Sequence, residues 1–200
     1  LTAFGIPHGT RVAHAIGQKL HGNGAPEVRD PWPLVEQTIR DPKLLPEELR
    51  NSIGPTAMRL WDGLAAERRA LLKLLARFEI TAKQAERWYV GEERQRAGIL
   101  LTDQEIIENP YLIYEGDCDQ RDSIAVGTID RGLFPEPAVA AAVPLPSPSA
   151  CSEPIDHRRG RAICVSVLHG AAEEGHTLLP PVWLIQRVRD FPIDPTCPSG

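Results

Sequence analysis

The sequence lacks the short motifs that mark nucleotide-dependent and hydrolytic enzymes. Gly-x-x-x-x-Gly-Lys-Ser/Thr, Gly-x-Gly-x-x-Gly and Gly-x-Ser-x-Gly do not occur, and no cysteine is arranged with histidine and asparagine as in a cysteine hydrolase. A phosphate cradle of the P-loop type needs a glycine-rich turn followed by lysine, so we expect the chain neither to bind nor to hydrolyse ATP. No catalytic residue is predicted, and the chain by itself is not expected to be an enzyme.

Cysteine and histidine are too few and too scattered to predict a structural zinc site. The cysteines are separated by 33, 13 and 33 residues and form no Cys-x-x-Cys pair. The six histidines form no His-Glu-x-x-His motif, and His14 and His21, which could share a helix face, have no carboxylate or cysteine joining them nearby. We therefore predict no metal and no cofactor in this chain, and free thiols in a reducing cytoplasm. The cysteines are Cys118, Cys151, Cys164 and Cys197.

Long apolar runs are also missing. No stretch approaches 18 consecutive apolar residues, and the N-terminus lacks the charged-then-apolar layout of a secretion signal. The chain has 200 residues, 42% hydrophobic and 24% charged, which suffices to bury a core as one domain or two small ones. We expect a cytoplasmic globular protein without a membrane partner. Because the chain begins with Leu1 rather than methionine, we treat it as part of a longer polypeptide.

Positive charge is scarce and unevenly distributed. The net charge of −5 weighs against nucleic-acid binding, because counterion release requires positive charge on the surface that meets phosphate. Residues 67–98 nevertheless carry eight bases against five acids, and residues 157–161 read His-Arg-Arg-Gly-Arg. A solvated helix start accounts for any one of these arginines better than a phosphate contact does. The candidate contacts are Arg158, Arg159 and Arg161, with Arg68, Arg69, Arg77 and Arg87 as a second patch.

Apolar residues recur at helical spacing along most of the chain. The pattern predicts helices over residues 10–20, 34–39 and 56–78, the last of which can be one helix or two helices broken near Gly63. Thr81 and Thr102 each begin a capping-box sequence, and Pro110 should end the second of these helices at Asn109. We therefore predict a mainly α fold.

Proline divides this helical pattern. Residues 133–155 contain six prolines around a stretch of small residues, which is typical of a linker or a long wrapping loop. We predict a helical bundle over residues 1–132, a proline-rich linker over 133–155 and a small helical unit over 156–200.

The sequence Gly175-His176-Thr177 separates two further predicted helices, over residues 158–174 and from Pro180-Pro181 to Arg189. Gly175 should end the first in the left-handed conformation, and the prolines should begin the second. We interpret the turn as structural, since no partner at suitable spacing makes His176 a metal ligand. If the turn instead presents the next helix to a DNA phosphate, His176 and Thr177 join the candidate nucleic-acid contacts.

Three segments, in this order, resemble the pre-motor region of RecD-like ATP-dependent DNA helicases, the exonuclease V alpha-like P-loop ATPases. They read IIENPYL at residues 106–112, IAVGTIDRG at residues 124–132, and GHTLLP at the end of residues 161–180. In that family an "enPY.L" element, a helix-hairpin-helix and a helix ending in "GHT.LP" precede the ATPase core. The resemblance covers roughly residues 100–190. It implies helix-hairpin-helix-like elements in the bundle and a helix-turn-helix-like C-terminal unit.

The resemblance implies an accessory, non-motor region that positions DNA or the ATPase core in DNA repair. DNA and that core are the implied partners, and the core alone would bind ATP and Mg²⁺. One segment departs from the family: residues 115–122 read EGDCDQRD where a Gly-Ile-Gly-like turn is usual, and such acids repel phosphate. The departure favours the alternative, a protein-protein interaction or scaffold module that does not contact nucleic acid.

Overall fold

The computed structural model describes residues 1–21, 29–151 and 153–198. In these ranges the regular structure is entirely helical, which confirms the predicted α class. A short 3-10 turn covers Pro42–Leu44. The α-helices, in order, are α1 Gly9–His21, α2 Trp32–Arg40, α3 Glu47–Arg50, α4 Pro55–Asp62, α5 Ala66–Leu75, α6 Ala82–Tyr89, α7 Gly91–Arg96, α8 Asp103–Glu108, α9 Leu112–Glu115, α10 Val126–Leu133, α11 Pro137–Ala142, α12 His157–Glu173 and α13 Pro181–Arg189.

Local side-chain chemistry sets several helix ends. Thr81 caps α6 by accepting a hydrogen bond from the Gln84 N–H, while the Gln84 side chain accepts one from the Thr81 N–H at 2.8 Å. Thr102 and Glu105 form the same reciprocal pair at α8, so both predicted capping boxes are confirmed. α8 ends one residue before Asn109, because the proline after Asn109 disfavours helical geometry there. α4 and α5 are separate helices with Gly63 as the C-cap of α4.

Four short helices, α3, α7, α9 and α11, were not predicted from the sequence. Each has four to six residues, too few for an apolar stripe to repeat at the helical period. The predicted end of α1 at Gly22-Asn23-Gly24 lies outside the described residues. None of the helices in the described ranges has the length and hydrophobicity that crossing a membrane requires.

The chain forms two compact units that alternate along the sequence. The first unit comprises residues 1–73, 81–98 and 136–144, and the second comprises residues 74–80, 99–135 and 145–200. The predicted boundaries after residues 132 and 155 do not coincide with these units. Residues 145–151 pack within the second unit, where the buried Ser149 hydroxyl donates to the Ile107 carbonyl at 2.7 Å.

The first unit is organised around Trp61. This side chain is fully buried, meets the Phe4 ring edge-to-face with 5.3 Å between centroids, and stacks on Trp32 at 6.3 Å. α4, which carries Trp61, packs against α2, which carries Trp32, and Phe4 lies in the segment before α1. The large buried ring supplies much of the apolar contact of this unit.

The second unit is organised around α12. This helix packs against α9, α10 and α13. Ala162 and Ile163 on α12 are fully buried, as are Ile113 and Ile129 on α9 and α10. All the segments that resemble the RecD-like family therefore lie in one compact unit.

Candidate functional site

Two of the family-like segments meet at a buried carboxylate, that of Asp130 on α10, which also binds Arg159, two residues before the third segment. The Tyr111 hydroxyl donates to Asp130 Oδ1 at 2.6 Å, and Arg159 on α12 donates from Nε to Oδ1 at 2.7 Å and from Nη2 to Oδ2 at 2.8 Å. The side chains of all three residues are essentially inaccessible to solvent. We call Tyr111, Asp130 and Arg159 the motif network.

The remaining donors of Arg159 are also used within the chain. Nη1 donates to the Pro154 carbonyl at 3.1 Å, Nη2 donates to the Pro195 carbonyl, and the guanidinium lies 4.6 Å from the Phe134 ring centroid. A forked, fully bonded ion pair of this kind compensates the cost of burying both charges. Arg159 therefore has no surface to offer to a phosphate, and its role is to hold α12 against α10.

Electrostatics agree with this closed geometry. Burial raises the pKa of Tyr111 far above its usual range, and the adjacent Asp130 carboxylate raises it further. Burial alone would lower the pKa of Arg159, but the hydrogen bonds and negative charge of Asp130 raise it overall. The raised pKa keeps Tyr111 a neutral phenol near neutral pH, so its hydroxyl remains a hydrogen-bond donor to Asp130.

Arg158 is also engaged within the second unit. Its guanidinium donates to the carbonyls of Glu108 at 2.6 Å, Pro148 at 2.9 Å and Ala150 at 2.7 Å, and Nη2 lies 2.7 Å from Asp156 Oδ2. Asp156 also caps α12 by accepting the Arg158 backbone N–H at 2.9 Å. These hydrogen bonds from Arg158 lower the pKa of Asp156 to about 2. Arg158 thus fastens the proline-rich segment to the start of α12.

Arg161 is the exposed arginine of the 157–161 cluster. Its side chain is 66% exposed and forms a forked ion pair with Glu115, with Nε 3.0 Å from Oε1 and Nη2 2.9 Å from Oε2. Glu115 begins the acidic segment that departs from the family pattern. A phosphate would have to displace this carboxylate to reach the guanidinium.

The arginines of the second predicted patch belong to two different units. Arg68 lies 3.8 Å from the Tyr89 ring centroid, and Arg69 donates to the Trp61 carbonyl at 2.8 Å, both in the first unit. Arg87 is buried there as well. Arg77 belongs to the second unit, where it donates to the Gly132 carbonyl at 3.1 Å. These arginines contact their own chain. The composition of the sequence alone could not reveal these contacts.

The Gly175-His176-Thr177 turn has the predicted form. Gly175 has a φ of +88°, the Gly175 N–H donates to the Ala172 carbonyl, and the His176 N–H donates to the Ala171 carbonyl, both at 2.9 Å. This pair of bonds is the Schellman motif that ends a helix at a left-handed glycine. His176 and Thr177 are exposed, and His176 Nε2 lies 3.6 Å from Glu174 Oε2.

We expect Gly175→Val to lower the free energy of unfolding by about 1–2 kcal/mol, because a β-branched residue resists a positive φ. Gly175→Asn is the matched control, since asparagine tolerates this conformation and no neighbouring atom would meet its Cβ. His176→Ala should cost about 0.5 kcal/mol or less, because the ring is exposed. Urea denaturation of the three variants measures the differences, and equal stability of the valine and asparagine variants would contradict the assignment.

The hairpin of α12 and α13 exposes an unusual amount of apolar side chain. Five of the eight exposed large hydrophobic residues in the described ranges lie between residues 168 and 185. Leu178 is 87% exposed in the turn, and Val182, Trp183 and Ile185 are 73%, 59% and 38% exposed on α13. We call these four residues the α13 surface.

The opposite side of α13 explains why the helix stays in place. Val188 is buried, and Leu184 packs with it against Ile163 and Val167 of α12. Arg187 also pairs with Glu174 at 3.2 Å across the hairpin. The sequence carried a signal for this arrangement: Val-Trp-Leu-Ile at residues 182–185 spans more than one face of a helix, so some of these side chains must face solvent.

Comparison of the chain with models of protein families, with curated proteins and with solved structures finds no match. The likeness to RecD-like helicases accordingly remains a hypothesis that rests on the order of the three sequence segments.

Proposed function

We propose that this chain is an accessory, non-motor module of a RecD-like DNA helicase and that it docks on the ATPase core through the α13 surface. The observation that carries the proposal is the exposure of Val182, Trp183 and Ile185 on a helix whose other side is firmly packed. Contiguous exposed apolar side chains on a folded helix mark sites of protein association. Tryptophan in particular is enriched among residues that dominate binding energy.

The state of the arginines favours a protein partner over DNA. Binding to DNA phosphates requires accessible cationic side chains that can displace the counterions of the DNA. Here Arg159 is buried, Arg158 is bound to three carbonyls, and Arg161 is paired with Glu115. The net charge of −5 adds a general repulsion of nucleic acid. The role as a docking module therefore needs no rearrangement of the second unit, whereas DNA contact through this cluster would.

The family resemblance favours the ATPase core as the partner. In RecD-like helicases the "GHT.LP" segment precedes the motor, and here the same segment leads directly into α13. The rigid Schellman turn fixes the direction in which α13 leaves α12. A preorganised apolar helix loses little conformational entropy on binding, which suits a constitutive contact.

The test measures binding of the whole chain to the RecD-like ATPase core encoded in the same genome, by isothermal titration calorimetry. Trp183→Ala should raise the Kd at least tenfold, as expected for a tryptophan at the centre of an interface. Leu100→Ala is the matched control, because Leu100 is 90% exposed outside the hairpin and its loss should change the Kd less than about twofold. Circular dichroism establishes that both variants fold.

Fluorescence anisotropy with forked DNA at low and moderate salt tests the alternative, which is DNA binding by the chain. The proposal expects no salt-dependent DNA binding. Failure of the wild-type chain to bind the ATPase core, or equal binding by Trp183→Ala, would overturn the docking role. DNA affinity that falls with salt and weakens in Arg161→Ala, without binding to the core, would instead assign a nucleic-acid role.

A further inference from the structure

Three side chains of metal-ligating type converge beside α12. Cys118 and Asp119 lie in the acidic segment after α9, and His169 lies on α12. The Cys118 Sγ, a carboxylate oxygen of Asp119 and a ring nitrogen of His169 all lie within 4.8 Å of one another. The distance from His169 Nε2 to Asp119 Oδ1 is 3.4 Å. Packing of α9 against α12 brings these residues together although about fifty residues separate them in sequence.

A fourth residue is placed to orient the histidine. Glu173 follows His169 by one turn of α12, and its Oε1 lies 3.5 Å from His169 Nδ1. A proton on Nδ1 directed at Glu173 leaves the Nε2 lone pair facing Asp119. Metal-binding histidines usually have such a carboxylate on the nitrogen that does not bind the metal, because it fixes the tautomer and the ring orientation.

We propose that Cys118, Asp119 and His169 form a zinc-binding site, with Glu173 orienting His169 and a water molecule completing a tetrahedral set of ligands. A thiolate, an imidazole and a carboxylate are the ligand types that Zn²⁺ prefers, whereas Mg²⁺ and Ca²⁺ take oxygen ligands only. This inference is independent of the docking proposal. It differs from the expectation of the sequence, which predicted no metal because no pair of ligands stands at a familiar spacing.

The geometry needs only a small adjustment to hold the ion. Zinc–ligand bonds of about 2.0–2.3 Å place tetrahedral ligand atoms about 3.3–3.8 Å apart, somewhat closer than the widest separation here. Asp119 is 90% exposed, so its side chain can rotate toward the other two without disturbing the core.

Cys118 would bind zinc as a thiolate. Burial raises the pKa of the Cys118 thiol, and the neighbouring Asp119 carboxylate raises it further. A bound metal ion overcomes this preference for the thiol, because a coordinating thiol loses its proton. Zinc binding replaces the thiol proton: the S–H bond breaks, a Zn–S bond forms, and the proton passes to solvent.

A zinc site would also explain why the segment after α9 is acidic. Residues 115–122 carry negative charge where the RecD-like family has a turn suited to phosphate. The carboxylates that repel DNA also favour a divalent cation at Cys118 and Asp119. Replacement of a phosphate-binding turn by a cation site would account for the departure of this segment from the family pattern.

The experiment titrates the full chain with Zn²⁺ in competition with a chromophoric chelator, and with Co²⁺ to observe the thiolate-to-cobalt charge-transfer band. The wild-type chain should bind one ion per molecule, and Cys118→Ser and His169→Ala should each weaken binding more than tenfold, with loss of the cobalt band in Cys118→Ser. Glu173→Gln should weaken binding about tenfold through the histidine. Cys164→Ser, which removes another free cysteine from α12, is the matched control and should bind as the wild type does.

Three results would each overturn the zinc site. They are failure of the wild-type chain to bind Zn²⁺ in this competition, persistence of the cobalt charge-transfer band in Cys118→Ser, and equal affinities for wild type and His169→Ala. Circular dichroism of each variant separates lost ligands from lost folding, and Asp119→Asn gives a further ligand variant at an exposed position that cannot affect the core.

Discussion

Replacement of Arg159 by alanine is expected to lower the free energy of unfolding by about 3–5 kcal/mol, because it leaves the Asp130 carboxylate buried without its counter-charge. Only the Tyr111 hydroxyl would remain to donate to that carboxylate within the motif network. The carbonyls of Pro154 and Pro195 would lose a donor as well. A charge that cannot reach water must then either become protonated or open the structure around it.

Urea denaturation followed by circular dichroism measures this loss, with Arg161→Ala as the matched control. Arg161 sits two residues away on the same helix, but its own side chain is 66% exposed, so its removal should cost much less than that of the buried Arg159. The double variant Arg159→Ala, Asp130→Ala should lose less than the sum of the single variants, since the second change removes the orphaned charge. Equal costs for Arg159→Ala and Arg161→Ala would contradict the buried ion pair.

Gly132→Val is expected to lower the free energy of unfolding by about 3 kcal/mol, because the backbone of α10 lies too close to a buried ring for any side chain. A Cβ at this position would lie 2.4 Å from Phe78 Cδ1, 2.8 Å from Cε1 and 3.1 Å from the Arg77 carbonyl oxygen. Phe78 is 5% exposed and cannot move aside without disturbing the core.

Gly127→Ala is the matched control in the same helix. Its Cβ would meet only the end of the flexible Arg131 side chain, at 3.9 Å, and alanine has a higher helix propensity than glycine. Thermal and urea denaturation should therefore show a large loss for Gly132→Val and no loss for Gly127→Ala. A Gly132→Val variant as stable as wild type would show that the two segments are not in this contact.

Structural features that depend only on residues adjacent in the sequence could be predicted from it. The capping boxes at Thr81 and Thr102 and the left-handed Gly175 each follow from the preference of one residue or one short pair for a backbone conformation. These preferences act before the chain folds, so the tertiary structure has little reason to override them.

The contacts that each arginine makes in the folded chain could not be predicted in the same way. Arg158, Arg159 and Arg161 are indistinguishable as a basic run, yet one binds carbonyls, one is buried against Asp130, and one lies at the surface. The difference depends on which face of α12 meets α10, and therefore on packing between distant segments. The proximity of His169 and Cys118 could not be predicted for the same reason, because only the contact of α9 with α12 makes them neighbours.

The alternation of the two units along the chain has a consequence for synthesis. The first unit draws on residues 136–144 as well as on residues 1–73 and 81–98, so it stays incomplete until residue 144 has left the ribosome. By that point, residues 74–80 and 99–135 of the second unit have already emerged and await their C-terminal partners. Domains generally fold as units with the N-terminal one first during synthesis, whereas here much of the second unit emerges before the first can be completed. Neither unit can therefore be inherited, excised or exchanged as one continuous stretch of polypeptide.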